Sequence, residues 1–164
     1  ATEVAAGFEE VRHTILTQQR DLIALQTEIL AMREKMLPTH PPREDSVKYA
    51  RGGIVDVEFI VQYLILANSH IFPQLTQNYG NIALLGIAAD LGLIDLSLAQ
   101  HSQEAYRYYR KVQHLSNLKD NATVEVNELL LSHYGYVQQL WKFCFYATVK
   151  LKQSPLVNFY QMLY

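Results

Sequence analysis

The chain has 164 residues, 49% of them hydrophobic and 18% charged, with a formal net charge of -2. These values are typical of one globular domain with one core and exclude a disordered chain. The charge excludes a global basic field that would recruit nucleic acid. No apolar run approaches the roughly 18 residues of a membrane span, and no basic leader is visible. We therefore predict one cytoplasmic domain over residues 1–164, which binds neither nucleic acid nor membrane.

A long helix is predicted at the start of the chain. Apolar or small residues recur at positions 4, 8, 11, 15, 22, 25, 29, 32 and 36, interrupted by Gln18. This spacing predicts one helix over 4–36, about 50 Å long at 1.5 Å per residue. It is either a spine of a bundle or a connector to a preceding domain. An intermolecular coiled coil is less favoured because the seam covers few heptads.

The second predicted helix follows the proline-rich loop 37–47 and the pair Gly52-Gly53, and runs over about 53–69. Apolar residues cover nearly its whole circumference, so a buried helix is expected. Its polar exceptions are Asp56, Glu58 and Gln62.

Three further helices are predicted. One runs over 81–91 with Asn81 as its cap, one over 96–118 after Asp95, and one over 124–151 before Ser154-Pro155. Strand-like alternation is absent from the sequence. The predicted fold is all-α, an antiparallel bundle of about five helices with a long N-terminal helix.

Asp56 and Glu58 are the first candidates for catalysis, since paired carboxylates can hold catalytic metal ions. On a helix, side chains two residues apart diverge by about 200°, so we reject a self-sufficient metal site. Asp56 instead favours the positive end of the helix dipole. A buried carboxylate needs a partner, and we predict an ion pair from Lys48 or Arg51 to Asp56 or Glu58.

The remaining motifs have plainer interpretations. Gly52-Gly53 could bind phosphate at a helix start, but a tight turn is favoured because no P-loop ending follows. The six histidines form no zinc pattern. Tyrosines at 106, 108 and 109 alternate with cations, and at this spacing Tyr106 and Tyr109 are expected to pack inward. The lone Cys144, flanked by aromatic residues, is expected to be a buried core thiol.

The segment Lys48 to Leu64 resembles the K-x-x-x-G-G-[IL]-x-[DE]-[IV]-E-F-x-x-Q signature of bacterial glutamine synthetase adenylyltransferases. The run Met32 to Met36 is similar to the end of the helix ahead of that signature. Family members are bifunctional, with two halves that each join a nucleotidyltransferase domain to a helical domain. Asp56 makes the chain look like the helical domain of the C-terminal, adenylylating half.

The resemblance implies a transferase of nitrogen regulation that uses ATP and magnesium and acts on glutamine synthetase under control of the PII protein. The family's catalytic residues lie on a Gly-Ser turn and a D-x-D pair, and this sequence contains neither. We therefore expect a fragment that lacks the nucleotidyltransferase domain, is inactive alone, and binds no cofactor or metal. No residue here is predicted to be catalytic. The inherited residues are expected to fix the buried helix and its approach to the catalytic domain in cis: Lys48, Gly52, Gly53, Asp56, Glu58, Phe59 and Gln62.

Two alternatives stay open. One is a non-enzymatic interaction module that binds proteins through the helix 4–36 or the tyrosine-rich helix 96–118. The other is the helical domain of a PII uridylyltransferase, which shares the general plan. The residues of the signature fit the adenylyltransferases better than the uridylyltransferases.

Overall fold

The computed structural model describes residues 2–146, and all its regular structure is helical. Six α-helices lie within that range, joined by turns and loops. They are α1 (Thr2–Leu16), α2 (Leu22–Lys35), α3 (Ile54–Asn68), α4 (Asn81–Asp90), α5 (Leu96–Leu118) and α6 (Glu128–Phe145). A short 3-10 helix, Pro73–Thr76, separates α3 from α4. The prediction of an all-α bundle is confirmed.

Helix α3 is the centre of the bundle and contacts α2, α4, α5 and α6. Helices α5 and α6 pack antiparallel, because His101 stacks on Tyr136 while Tyr108, further along α5, meets His133, earlier in α6. The core draws on every helix except α1. Ile60 of α3 and Leu140 of α6 are fully buried.

The single N-terminal helix predicted over 4–36 is wrong, because residues 17–21 separate α1 from α2. Asp21 caps α2, with its carboxylate accepting hydrogen bonds from the backbone N–H groups of Ile23 and Ala24. Arg20 closes the end of α1, donating to the carbonyl oxygens of Ile15 and Leu16. Gln18, the polar residue on the predicted seam, marks the interruption.

The other predicted helices are present with small shifts in their ends. Gly80, and not Asn81, is the N-cap of α4, and the Asn81 amide donates to Tyr106. Asp95 caps α5 as predicted. Helix α6 begins four residues later than predicted, because Asn127 caps it. Residues 147–151 and Ser154-Pro155 of the predicted end lie outside the described residues.

Within residues 2–146, no helix combines the length and apolar character needed to cross a bilayer.

Candidate functional site

The signature turn, residues 47–53, lies where α3 begins and α6 passes beside it. Gly52 has φ +84°, a conformation that side chains with a Cβ rarely adopt. A Cβ on Gly52 would stand 2.3 Å from the carbonyl oxygen of Tyr134, and one on Gly53 would stand 2.3 Å from that of Val47. Both glycines are therefore required by close backbone packing, as the sequence predicted.

Asp56, in the first turn of α3, organises the polar interior beneath this turn. Its Oδ1 accepts from Nε of Arg33 at 2.6 Å, and its Oδ2 accepts from the backbone N–H of Gly52 at 2.7 Å. Both side chains of the ion pair are almost fully buried. Asp56 thus joins α2 to the signature turn and satisfies a donor ahead of the helix start.

The Arg33 guanidinium extends this network toward the loop. Its Nη2 donates to the carbonyl oxygen of Tyr49 at 3.1 Å. Nη1 is buried and has no hydrogen-bond partner among the described residues. A buried guanidinium with incomplete hydrogen bonding is costly to keep, so the Asp56 carboxylate is essential to retain it in the core.

Helices α5 and α6 hold the outer side of the same turn. The Tyr109 hydroxyl donates to the Gly52 carbonyl at 2.8 Å, and Gln138 donates to the Arg51 carbonyl at 2.8 Å. Tyr134 donates to the carbonyl oxygen of Glu44, in the loop just before the turn, at 2.9 Å. Burial, and then the neighbouring Tyr134 and Asp56, raise the pKa of Tyr109 above its ordinary value. Tyr109 therefore stays a hydroxyl donor over the whole physiological range.

The predicted ion pair from Lys48 or Arg51 to Asp56 or Glu58 is wrong. Asp56 is paired, as a buried carboxylate must be, but its cation is Arg33 of α2. Arg51 instead lies 3.8 Å from Glu34 in an exposed pair, and the Lys48 ammonium sits 5.1 Å from the centre of the Tyr49 ring. The cations nearest to Asp56 in the sequence are therefore not its partners, because the packing of α2 against α3 places Arg33 beside it.

Helix α3 is largely buried, as predicted, but of its three polar exceptions only Asp56 is buried, while Glu58 and Gln62 are not. Both of these side chains are exposed, four residues apart on one face, with Phe59 half-buried beside them. Apart from the half-buried Phe59, the predicted site residues therefore fall into two groups. Gly52, Gly53 and Asp56 are buried in the turn, while Lys48, Glu58 and Gln62 face solvent.

These residues do not fit a magnesium or ATP site. Asp56 is occupied by Arg33 and Gly52, and Glu58 points from a different face of α3. No group of three His, Cys, Asp or Glu side chains within residues 2–146 is arranged to hold a metal ion. The turn glycines pack against backbone carbonyls of the protein, which would repel a phosphate.

On α5, Tyr106 and Tyr109 point inward and the neighbouring cations face solvent, as their spacing predicted. Tyr109 is fully buried and Tyr106 is half-buried, while Arg107, Arg110 and Lys111 are exposed. Cys144 is a buried thiol, also as predicted, and burial raises its pKa to about 12.

Four residues of the network were missed as candidate site residues: Arg33, Tyr109, Tyr134 and Gln138. Arg33 had a signal, since it lies in the Met32 to Met36 run that resembles the family sequence. The other three lie 57 to 90 residues from their backbone partners, and no local pattern marks such contacts.

Fold and site together define a helical domain in which a Gly-Gly turn is held by polar contacts from three other helices, those from α2 and α5 being buried. The GlnD PII-uridylyltransferase family model matches residues 20–150, and the chain belongs to this family.

Curated relatives are bifunctional glutamine synthetase adenylyltransferase/adenylyl-removing enzymes. The protein of Neisseria meningitidis serogroup B is 59% identical over 141 residues, covering 86% of this chain and 16% of the relative. That of Chromobacterium violaceum is 52% identical, with 85% and 16% covered. That of Bordetella pertussis is 43% identical, with 86% and 15% covered. The resemblance predicted from residues 48–64 is confirmed, and the chain spans about a sixth of the length of these relatives.

Proposed function

We propose that this chain is the C-terminal helical domain of an enzyme that adenylylates and deadenylylates glutamine synthetase. ATP and Mg²⁺ bind to the nucleotidyltransferase domain of that enzyme, and glutamine synthetase and the PII protein are its partners. The fragment is not catalytic alone. The observation that carries the proposal is the 59% identity to enzymes of that name over 86% of the chain.

The structure suggests how the domain takes part. The buried network fixes the turn and the start of α3, so the exposed Lys48, Glu58 and Gln62 are presented from a rigid base. A preformed polar surface loses little conformational entropy on docking. In our proposal this surface faces the nucleotidyltransferase domain and sets its position relative to the substrate.

A PII uridylyltransferase is the second candidate, because the description of the matching family model names that activity. The curated relatives with up to 59% identity carry the adenylyltransferase name instead. The two candidates differ in both nucleotide and acceptor. Incubation of the full-length enzyme with glutamine synthetase and ATP, or with PII and UTP, separates them by which acceptor is labelled.

The proposed surface is tested in the full-length enzyme with Glu58→Ala/Gln62→Ala. The matched control is Gln100→Ala/Glu104→Ala, which removes the same side-chain types at the same spacing from an exposed face of α5. A misaligned catalytic domain should lower kcat/KM for AMP transfer by about tenfold or more in the first variant only. Equal activity of both variants would rule out a positioning role for this face.

The isolated chain supplies a second test. Calorimetry with ATP-Mg²⁺ should give no binding, because the described residues offer no fitting site. Micromolar affinity would contradict the assignment of nucleotide binding to the other domain.

A further inference from the structure

Helix α1 presents an apolar stripe that nothing in the described structure covers. Val4, Phe8, Val11 and Ile15 are exposed by 78%, 66%, 58% and 50%, and α1 contains no buried residue. Their spacing of four, three and four places all of them on one face of the helix. Large apolar side chains that are aligned and exposed in this way mark an interaction surface.

The hydrogen bonds that join α1 to the 3-10 helix come from its C-terminal half. Arg12 donates to the Thr76 carbonyl, and Nδ1 of His13 lies 3.1 Å from the Thr76 hydroxyl oxygen. A helix of 15 residues is marginal in water unless tertiary packing supports it. The stripe therefore needs a partner to keep the first half of α1 helical.

Two observations favour a partner in the same polypeptide. The family match begins at residue 20, at the junction of α1 and α2, so α1 lies outside the matched helical domain. The curated relatives have about five-sixths of their length beyond the part that this chain covers. Helix α1 is therefore at the edge of this domain and is the element best placed to contact another domain of that polypeptide.

A second copy of the chain is a poorer occupant. Coiled-coil pairing between molecules requires about three or four heptads, and the stripe spans about two. A covalently linked domain needs much less contact, because its effective concentration is in the millimolar range. The small residues Ala5 and Gly7 flank the stripe and allow close approach of another backbone.

We propose that α1 docks through Val4, Phe8, Val11 and Ile15 into an apolar groove of the nucleotidyltransferase domain of the same polypeptide. The inference rests on the proposed function for the identity of that domain. It adds the element that joins the two domains, separate from the polar face of α3.

Hydrogen exchange in the full-length enzyme tests this. Phe8→Asp and Val11→Asp place a charge on the stripe, and Ala6→Asp places the same charge on the opposite face, about 190° away at 100° per residue. Amides 6–15 should be protected in the parent enzyme and in Ala6→Asp, and should exchange at least about tenfold faster in Phe8→Asp and Val11→Asp. Amides of α3 provide an internal reference for intact folding.

The outcomes are decisive in each case. Equal exchange of α1 in all four proteins overturns the proposal, as does protection that disappears on dilution, which assigns the stripe to a second copy. AMP transfer is measured on the same samples. AMP transfer without protection of α1 leaves the proposed function standing and rejects docking of α1. Protection of α1 without AMP transfer rejects the proposed function and leaves α1 docked to a domain of another activity.

Discussion

Arg33 and Asp56 form an ion pair of 2.6 Å that is almost completely withdrawn from solvent. Arg33 belongs to α2 and Asp56 to the first turn of α3, so the pair ties the two helices together at the signature turn. Because Asp56 also accepts from Gly52, the charge pair and the backbone turn form one unit.

Removing one partner of this pair should be severe. Asp56→Ala and Arg33→Met each leave a charge buried without its counterion, and each should lower the free energy of unfolding by about 3–5 kcal/mol. Urea unfolding measures both. The double variant Arg33→Met/Asp56→Ala should lose much less than the sum, because no isolated charge remains. Strictly additive losses would show that the two side chains act independently.

Gly52 should tolerate no side chain. Gly52→Ala combines a positive φ with a Cβ placed 2.3 Å from the Tyr134 carbonyl oxygen. Gly92 is the matched control, because its φ is +73° but nothing lies within 4 Å of its Cβ position. Gly92→Ala should cost about 1–2 kcal/mol from backbone strain alone, and Gly52→Ala clearly more. Thermal melts that show equal losses would remove close packing as the reason for Gly52.

Tyr109→Phe should uncouple α5 from the turn. It leaves the buried Gly52 carbonyl without its donor and should cost about 1–3 kcal/mol in urea unfolding. Tyr79→Phe, at a half-exposed position, is the control and should stay within about 0.5 kcal/mol of the parent. A loss no larger than that of the control would show that water or another donor replaces the hydroxyl.

The raised pKa of Tyr109 predicts that the folded protein loses stability at alkaline pH. The pKa of Tyr109 is raised in the folded state by burial, from the ordinary value of 10.0, so the folded protein keeps a proton that the unfolded chain releases. The unfolded state is therefore favoured as pH rises above 10. The urea midpoint should fall between pH 9.5 and about 11, and it should fall less steeply in Tyr109→Phe. Parallel pH profiles of the two proteins would assign the alkaline loss to other groups.

Cys144 should react only when the fold opens. Burial raises the pKa of its thiol to about 12, so thiolate is scarce and access is blocked at neutral pH. Iodoacetamide labelling should be negligible in the native protein and complete in 6 M urea, with one adduct by mass spectrometry. The parent sequence has one cysteine, which makes the readout unambiguous. Rapid native labelling would mean that the C-terminal part of α6 opens readily.

The sequence predicted the fold well where local signals were strong. Asp95 marked the start of α5, and Gly52-Gly53 marked the start of α3. The prediction failed at residues 17–21. The apolar residues keep their helical spacing across this segment, although Arg20 closes one helix and Asp21 caps the next. Hydrophobic periodicity shows which face of a helix is apolar, whereas capping residues determine where the helix ends.

The candidate site was predicted only in part, for a related reason. Gly52, Gly53 and Asp56 were identified because the signature places them together in sequence. Arg33 was not recognised as the partner of Asp56, since ion pairs between helices depend on packing and not on distance along the chain. Glu58 was expected to be buried because the composition of α3 is apolar, but the side chain of Glu58 is exposed to solvent.

The contacts around the turn also determine when it can form during synthesis. The turn is tied to Arg33, which is made before it, and to Tyr109 and Gln138, which are made 57 and 87 residues after their backbone partners. Loop closure over such distances is slow compared with helix formation. The contacts that Gln138 and Tyr134 of α6 make with the turn can therefore form only after that part of α6 has been synthesised, and a chain that stops before α6 lacks them.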